Sequence, residues 1–169
     1  MIYLVLSLLS IPLVFLVGRL FKKNLIPEII IGFAVGVSWE MVTAPLWIYN
    51  TNMLTAFYIE GQEIPIEVVL LWASTLSFLS LTIGLMYEKI FEKTRKLTFL
   101  SSLILFLVVG WLIEYIGTQY GFWSYSWDLK VNIFSVPVVV LYGWVFESTL
   151  YVSTIQLYRK DIETLLRIK

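Results

Sequence analysis

The chain contains no cysteine and no histidine. Without cysteine there can be no disulfide, thiolate nucleophile, iron–sulfur cluster or cysteine-type zinc site. Without histidine there can be no Ser-His-Asp catalysis, no haem histidine and no His-rich di-iron centre. Charge is also scarce: 14% of the 169 residues are charged, against about 25% in a soluble domain. Twelve basic and twelve acidic side chains cancel, so a basic footprint for nucleic acid is missing. No GxGxxG, P-loop or other nucleotide signature is present. Neither a metal nor another cofactor is expected, and the chemistry left open belongs to carboxylates, hydroxyls and aromatic rings.

Apolar residues, by contrast, are abundant, at 59% of the chain, with 17% aromatic. That is roughly a hundred residues, or about five bilayer crossings at ~20 residues each. The runs parse as Ile2 to Phe21, Leu25 to Ile48, Ile64 to Tyr87, Leu97 to Ile116 and Phe134 to Leu157. In lipid every backbone polar group must be paired internally, so helices are expected; runs such as Val131 to Val145 do not alternate as barrel strands would. The expected fold is an all-α integral membrane protein, one membrane domain with a tail from residue 158.

Eleven of the twelve cations lie at or beyond the ends of the first, third and fifth runs, and Lys130 is the exception. The positive-inside rule makes that side cytoplasmic, with the N-terminus outside and the C-terminus inside a cell membrane. The first run lacks the positive n-region and the Ala-x-Ala site of a signal peptide, so it reads as a retained helix.

The two halves share landmarks, spanning 25–87 and 97–157. Glu40 precedes Trp47-Ile48-Tyr49, and Glu114 precedes Trp123-Ser124-Tyr125; Trp72 and Trp144 each lie seven residues after a proline, Pro65 or Pro137. Two helices per unit make both copies enter the membrane in the same sense, related by a pseudo-twofold axis along the membrane normal. The prolines fit a first helical turn, and Glu67 suits the positive end of a helix dipole. Gly32 and Gly36 make a GxxxG match, whose plain meaning is close helix packing.

Glu40, Glu114 and Glu147 are the unusual residues, because an acid deep in a bilayer costs at least ~2.5–3.5 kcal/mol unless it faces a bundle interior or a cavity. Gly36, Gly110 and Gly143 lie four residues before them. Side chains lean toward the helix N-terminus, so each acid is expected across the gap left by its glycine, with Trp111 and Trp144 walling the same flank as Glu114 and Glu147. Gly32, Gly36, Glu40, Thr43 and Trp47 form one stripe; Glu67, Ser74 and Ser77 or Phe78 form another. Two readings stay open. The acids pair across helices and specify packing, or they line an outer cavity. In a cavity with aromatic walls, acids suit the protonation of an electron-rich double bond, with cation–π support for the carbocation and proton removal by a carboxylate. Intramembrane acids at a repeat interface also fit a small proton-coupled transporter.

Met1-Ile2-Tyr3-Leu4, Pro12, Trp39-Glu40, Trp47-Ile48-Tyr49 and Gly61 followed by Ile64-Pro65-Ile66-Glu67 resemble the lycopene cyclase domain family of carotenoid biosynthesis over residues 1–87. Glu114-Tyr115-Ile116-Gly117-Thr118, Gly121, Tyr125, Val136-Pro137 and Trp144 are similar to the carotenoid hydratase family. The resemblance implies cyclisation or hydration of a long polyene without net redox change. It assigns acid–base chemistry to Glu67 and a neighbouring polar role to Glu40. Glu114 and Glu147 join them by position, and Trp39, Trp47, Tyr49, Trp72, Trp111, Trp123, Tyr125 and Trp144 are the expected substrate contacts. Val68 stands where that motif has a second acid, Leu70 and Leu71 where it has an aromatic pair, and Val139 where the second unit would repeat Glu67. The family's active unit is two three-helix domains, fused or paired. A homodimer, or a heterodimer with a related membrane subunit, is therefore implied, as is the alternative of a non-catalytic partner subunit.

Overall fold

A computed structural model describes residues 2–49, 55–59, 62–126 and 131–166. Met1, Gly61, Lys130, Arg167 and Lys169, all used above, lie outside the described residues. Among the described residues five α-helices carry the chain: α1 (Ile2–Leu20), α2 (Ile26–Thr43), α3 (Ile66–Leu85), α4 (Arg95–Gln119) and α5 (Val138–Leu165). Among the described residues four spans are long and apolar enough to cross a membrane: α2 with the 3-10 turn Ala44–Leu46, α3 with the wide π turn Met86–Ile90, α4 and α5. The protein is an all-α, multi-pass membrane protein.

The first three helices end inside their apolar runs, whereas α4 exceeds its run and α5 outlasts its own. α4 starts two residues before Leu97 and ends three after Ile116, and α5 continues to Leu165. Most of the expected tail from residue 158 is therefore helix. Hydropathy ends where the lipid-facing surface ends, whereas backbone hydrogen bonding continues into the polar layer. Pro65 and Pro137 stand one place earlier than expected, as extended N-cap residues with ψ of 141° and 134°. Each closes a short hairpin: β2 (Thr55–Ile59) with β3 (Gln62–Pro65), and β5 (Asn132–Ile133) with β6 (Val136–Pro137).

The pairing that joins the two halves is β1 (Trp47–Tyr49) with β4 (Trp123–Tyr125), antiparallel, Trp47 opposite Tyr125 and Tyr49 opposite Trp123. Each Trp-x-Tyr thus meets the other head to tail about Ile48 and Ser124, the relation that a twofold axis along the membrane normal imposes on a repeat. Ser126 adds a backbone bond to Leu46 O at 3.0 Å.

Close approach at glycine sets the packing. A Cβ on Gly32 would meet the Ala73 carbonyl oxygen at 3.0 Å, and one on Gly36 would meet Trp72 Cβ at 2.5 Å, so the GxxxG stripe of α2 seats α3. α1 lies outside this pair, held to α3 by Val14, Leu25 and Leu81 and by a 2.6 Å bond between the Ser10 and Ser74 hydroxyls. At the basic end, Lys23 pairs with Glu88 at 2.8 Å, and Arg159 of α5 pairs with the buried Glu28 of α2. Arg159 also donates to Asn24 O and to Glu163, both at 2.9 Å.

Candidate functional site

Glu40 lies in the last turn of α2, 2% exposed. Its Oε1 accepts the Trp72 indole N–H at 2.7 Å, and its Oε2 accepts the Tyr49 hydroxyl at 2.5 Å. Glu114 of α4, 3% exposed, repeats the arrangement. Its Oε1 accepts Trp144 Nε1 at 2.9 Å, and its Oε2 accepts Trp123 Nε1 at 3.0 Å and Tyr125 OH at 3.1 Å. The sequence places these groups together because the helix before each Trp-x-Tyr strand delivers an acid one to two turns below it, and the proline-started return helix brings its tryptophan to the same depth.

The glycines work differently from the expectation. The gap at Gly36 is filled by Trp72, and the gap at Gly110 by Trp144, whose Cγ would lie 2.4 Å from an added Cβ. The tryptophan enters the notch, and its N–H then reaches the acid on the same helix. The two indoles meet at the centre, ring centroids 4.4 Å apart.

Together these groups line a narrow cleft with a cavity volume of about 40 Å³. Glu40, Glu114, Trp47, Tyr49, Trp72, Trp123 and Trp144 face it, with Val68, Leu71, Thr75 and Ile113 between them. Tyr125 supports the wall, its ring 5.4 Å from that of Trp47. Trp47 donates to Thr43 Oγ1 at 3.2 Å, which fixes its ring edge. Burial first, and then the Glu40 carboxyl, hold the Tyr49 phenol well above its ordinary range; Glu114 and Glu147 act on it in the same direction. Burial, followed by Glu114, raises the Tyr125 phenol likewise. Both therefore stay neutral hydrogen-bond donors.

The other expected site residues are distributed around this cleft. Glu147 is wholly buried, a turn below Trp144, and lies within electrostatic reach of Glu40, Glu114 and Tyr49. Thr75 occupies the matching place after Trp72. Glu67, 1% exposed in the first turn of α3, is not among the cleft's lining residues. Trp39 covers Gly143 and packs against Phe146 at 6.0 Å, facing a neighbouring groove between α2 and α5 that shares Trp47, Glu114 and Trp144 with the cleft. Trp111 stands apart, stacked on Tyr115 and donating to Ile133 O at 3.2 Å. It braces the β5–β6 hairpin instead of walling Glu114.

Sequence reasoning missed Glu28, the acid of the ion pair with Arg159. Its signal was an acid at the start of an apolar run, matched by a cation just past the end of another at the same depth. Among the described residues no group of acids is arranged to hold a metal ion. Compared with known proteins, the chain matches no family model, no curated protein and no solved structure.

Proposed function

We propose that this protein is an acid–base enzyme of the cell membrane acting on a long isoprenoid polyene, in the manner of the lycopene cyclase family that its motifs resemble. A single observation carries the reading: two glutamates from two repeated units face one apolar cleft whose remaining walls are tryptophan and tyrosine. The cleft, at about 40 Å³, must widen to admit a substrate end group, which then meets a proton donor, a carboxylate and electron-rich faces at once. Glu114 accepts three hydrogen bonds and Glu40 two, so the part of fixed anion falls to Glu114 and that of proton donor to Glu40. Protonation of a terminal double bond leaves a tertiary carbocation, which Trp72 and Trp144 steady by cation–π attraction. Ring closure followed by loss of a proton to Glu114, or capture of water, completes the reaction without redox change. This assignment moves the acid–base role from Glu67 to Glu40 and Glu114.

The test is expression of Glu40→Gln and Glu114→Gln in a polyene-producing host, with chromatography of the pigments. Loss of conversion in both is expected; full conversion in either overturns the assignment. A second reading has its own observation: all four carboxyl oxygens of Glu40 and Glu114 are already hydrogen-bonded, as packing acids in a partner subunit would be. That reading predicts co-purification with another membrane protein and no turnover by the isolated chain.

A further inference from the structure

A roomier hollow, of about 870 Å³, lies away from the cleft, where the chain turns from α1 into α2 at the basic end. Ile11, Pro12, Phe15 and Leu16 form its wall, one stripe of α1 at helical spacing, with Phe15 and Leu16 exposed. Arg19 continues the stripe, and Lys22 and Lys23 of the turn close its end. From Ile11 to Arg19 is about 12 Å of helix at 1.5 Å per residue. The groove is thus apolar along its length and cationic at one end only.

The turn holds those cations in place. The Lys23 N–H donates to Gly18 O at 2.8 Å and the Lys22 N–H to Arg19 O at 3.0 Å, the paired bonds of a Schellman stop. Such a stop needs one residue in the left-handed region, where glycine is favoured; here that residue is Lys22, with φ of 55°. Glycine stands at Gly18 instead, where a Cβ would meet the Lys23 carbonyl oxygen at 2.9 Å. Two ties fix the turn from outside: Lys23 pairs with Glu88, and the Asn24 carbonyl oxygen accepts Arg159. Among the described residues Arg19 and Lys22 form no ion pair. Two positive charges are left over at the head of an apolar stripe, one of them on a backbone that suits it poorly.

We infer that this groove holds one anionic phospholipid, its phosphate between Arg19 and Lys22 and an acyl chain along Ile11, Pro12, Phe15 and Leu16. A lipid tail is as apolar as the wall and gives no preference by itself, so the head group decides which lipid stays. Each cation near the membrane surface favours a net negative head group over a zwitterionic one by about fivefold. The site is separate from the cleft and from any chemistry there.

The test uses the full chain in detergent micelles with equal amounts of phosphatidylglycerol and phosphatidylcholine bearing the same acyl chains. Native mass spectrometry identifies the lipid that stays bound. The native chain is expected to retain one phosphatidylglycerol, about fivefold or more over phosphatidylcholine. Arg19→Gln with Lys22→Gln abolishes the preference. Lys89→Gln with Lys96→Gln removes as much charge outside the groove and leaves it. Lys22→Gly relaxes the backbone while removing one charge, so it lowers retention about fivefold with an unfolding temperature unchanged or raised. Excess inorganic phosphate leaves the lipid in place. Equal retention of the two lipids, equal loss in the two double variants, or displacement by inorganic phosphate would overturn the inference.

Discussion

Trp72 and Trp144 lie with their ring centroids 4.4 Å apart, and each indole donates its N–H to the glutamate of its own half of the molecule. The centre of the protein is thus a pair of aromatic rings held between two acids. Hydrogen bonds to a charged group contribute about 1.5–3 kcal/mol. Trp144→Phe and Glu114→Gln, which remove the two partners of the bond to the anionic acid, should each destabilise the fold by an amount in that range. The double variant should cost less than their sum, measured by unfolding in detergent as a double-mutant cycle. Simple additivity would show that the bond contributes nothing.

Glycine substitutions should separate the notches from an ordinary helix interior. An added methyl on Gly36 or Gly110 meets a tryptophan at 2.5 or 2.4 Å, whereas Gly84 has nothing within 4 Å. Gly36→Ala and Gly110→Ala should lower stability by about 1–3 kcal/mol through overpacking. Gly84→Ala should be neutral or raise it by up to about 1 kcal/mol. Thermal unfolding of the three variants checks the order.

Most of this architecture is legible in the sequence, and the reason is the solvent. Lipid demands long apolar helices, so the runs announce them; an acid is tolerated only where it is needed, so Glu40, Glu114 and Glu147 stand out. What the sequence hides is partnership. Trp-x-Tyr looks like interfacial anchoring, and nothing local to Trp47 says that it will lie opposite Tyr125. Glu28 reads as an ordinary helix-start acid because its partner Arg159 is 131 residues away, on a stretch of α5 beyond the apolar run. Trp111 and Trp144 hold equivalent places before an acid, yet one braces a hairpin and the other enters the cleft, a choice made by the neighbouring helix.

The strand pairing between halves can be trapped chemically. The chain has no cysteine, so a double variant I48C/S124C carries the only thiols. Opposed positions in an antiparallel pair have Cβ atoms about 4.5–5.5 Å apart, close to disulfide geometry. Mild oxidation should give an intramolecular cross-link, seen as a reducible shift in electrophoretic mobility. Thiols that stay free, or that join separate chains, would contradict the register.

Removing one partner of the Glu28–Arg159 pair should be severe. Arg159→Gln leaves an acid that is 2% exposed without its counter-ion, with a loss of about 3–5 kcal/mol. Glu28→Gln combined with Arg159→Gln should recover much of that loss. Proteolysis near the end of α5, faster in the single variant than in the double, gives an independent measure.

Alkaline pH should unfold the protein through its buried phenols. Tyr49 and Tyr125 are raised above their ordinary range in the folded state, so the unfolded chain gives up these protons first. Their contribution is complete below the unfolded value of about 10 and is lost as pH rises toward the folded values. Tyr49→Phe and Tyr125→Phe should each move the midpoint of alkaline unfolding upward, followed by circular dichroism. Full tyrosinate absorbance from all ten tyrosines near pH 10 with helices intact would contradict this.

Thr75 follows Trp72 at the interval at which Glu147 follows Trp144. A chain folded with perfect rotational symmetry would present two interchangeable halves. Exchanging one hydroxyl for one acid below the paired indoles removes that equivalence. The molecule therefore has a left and a right that can be told apart.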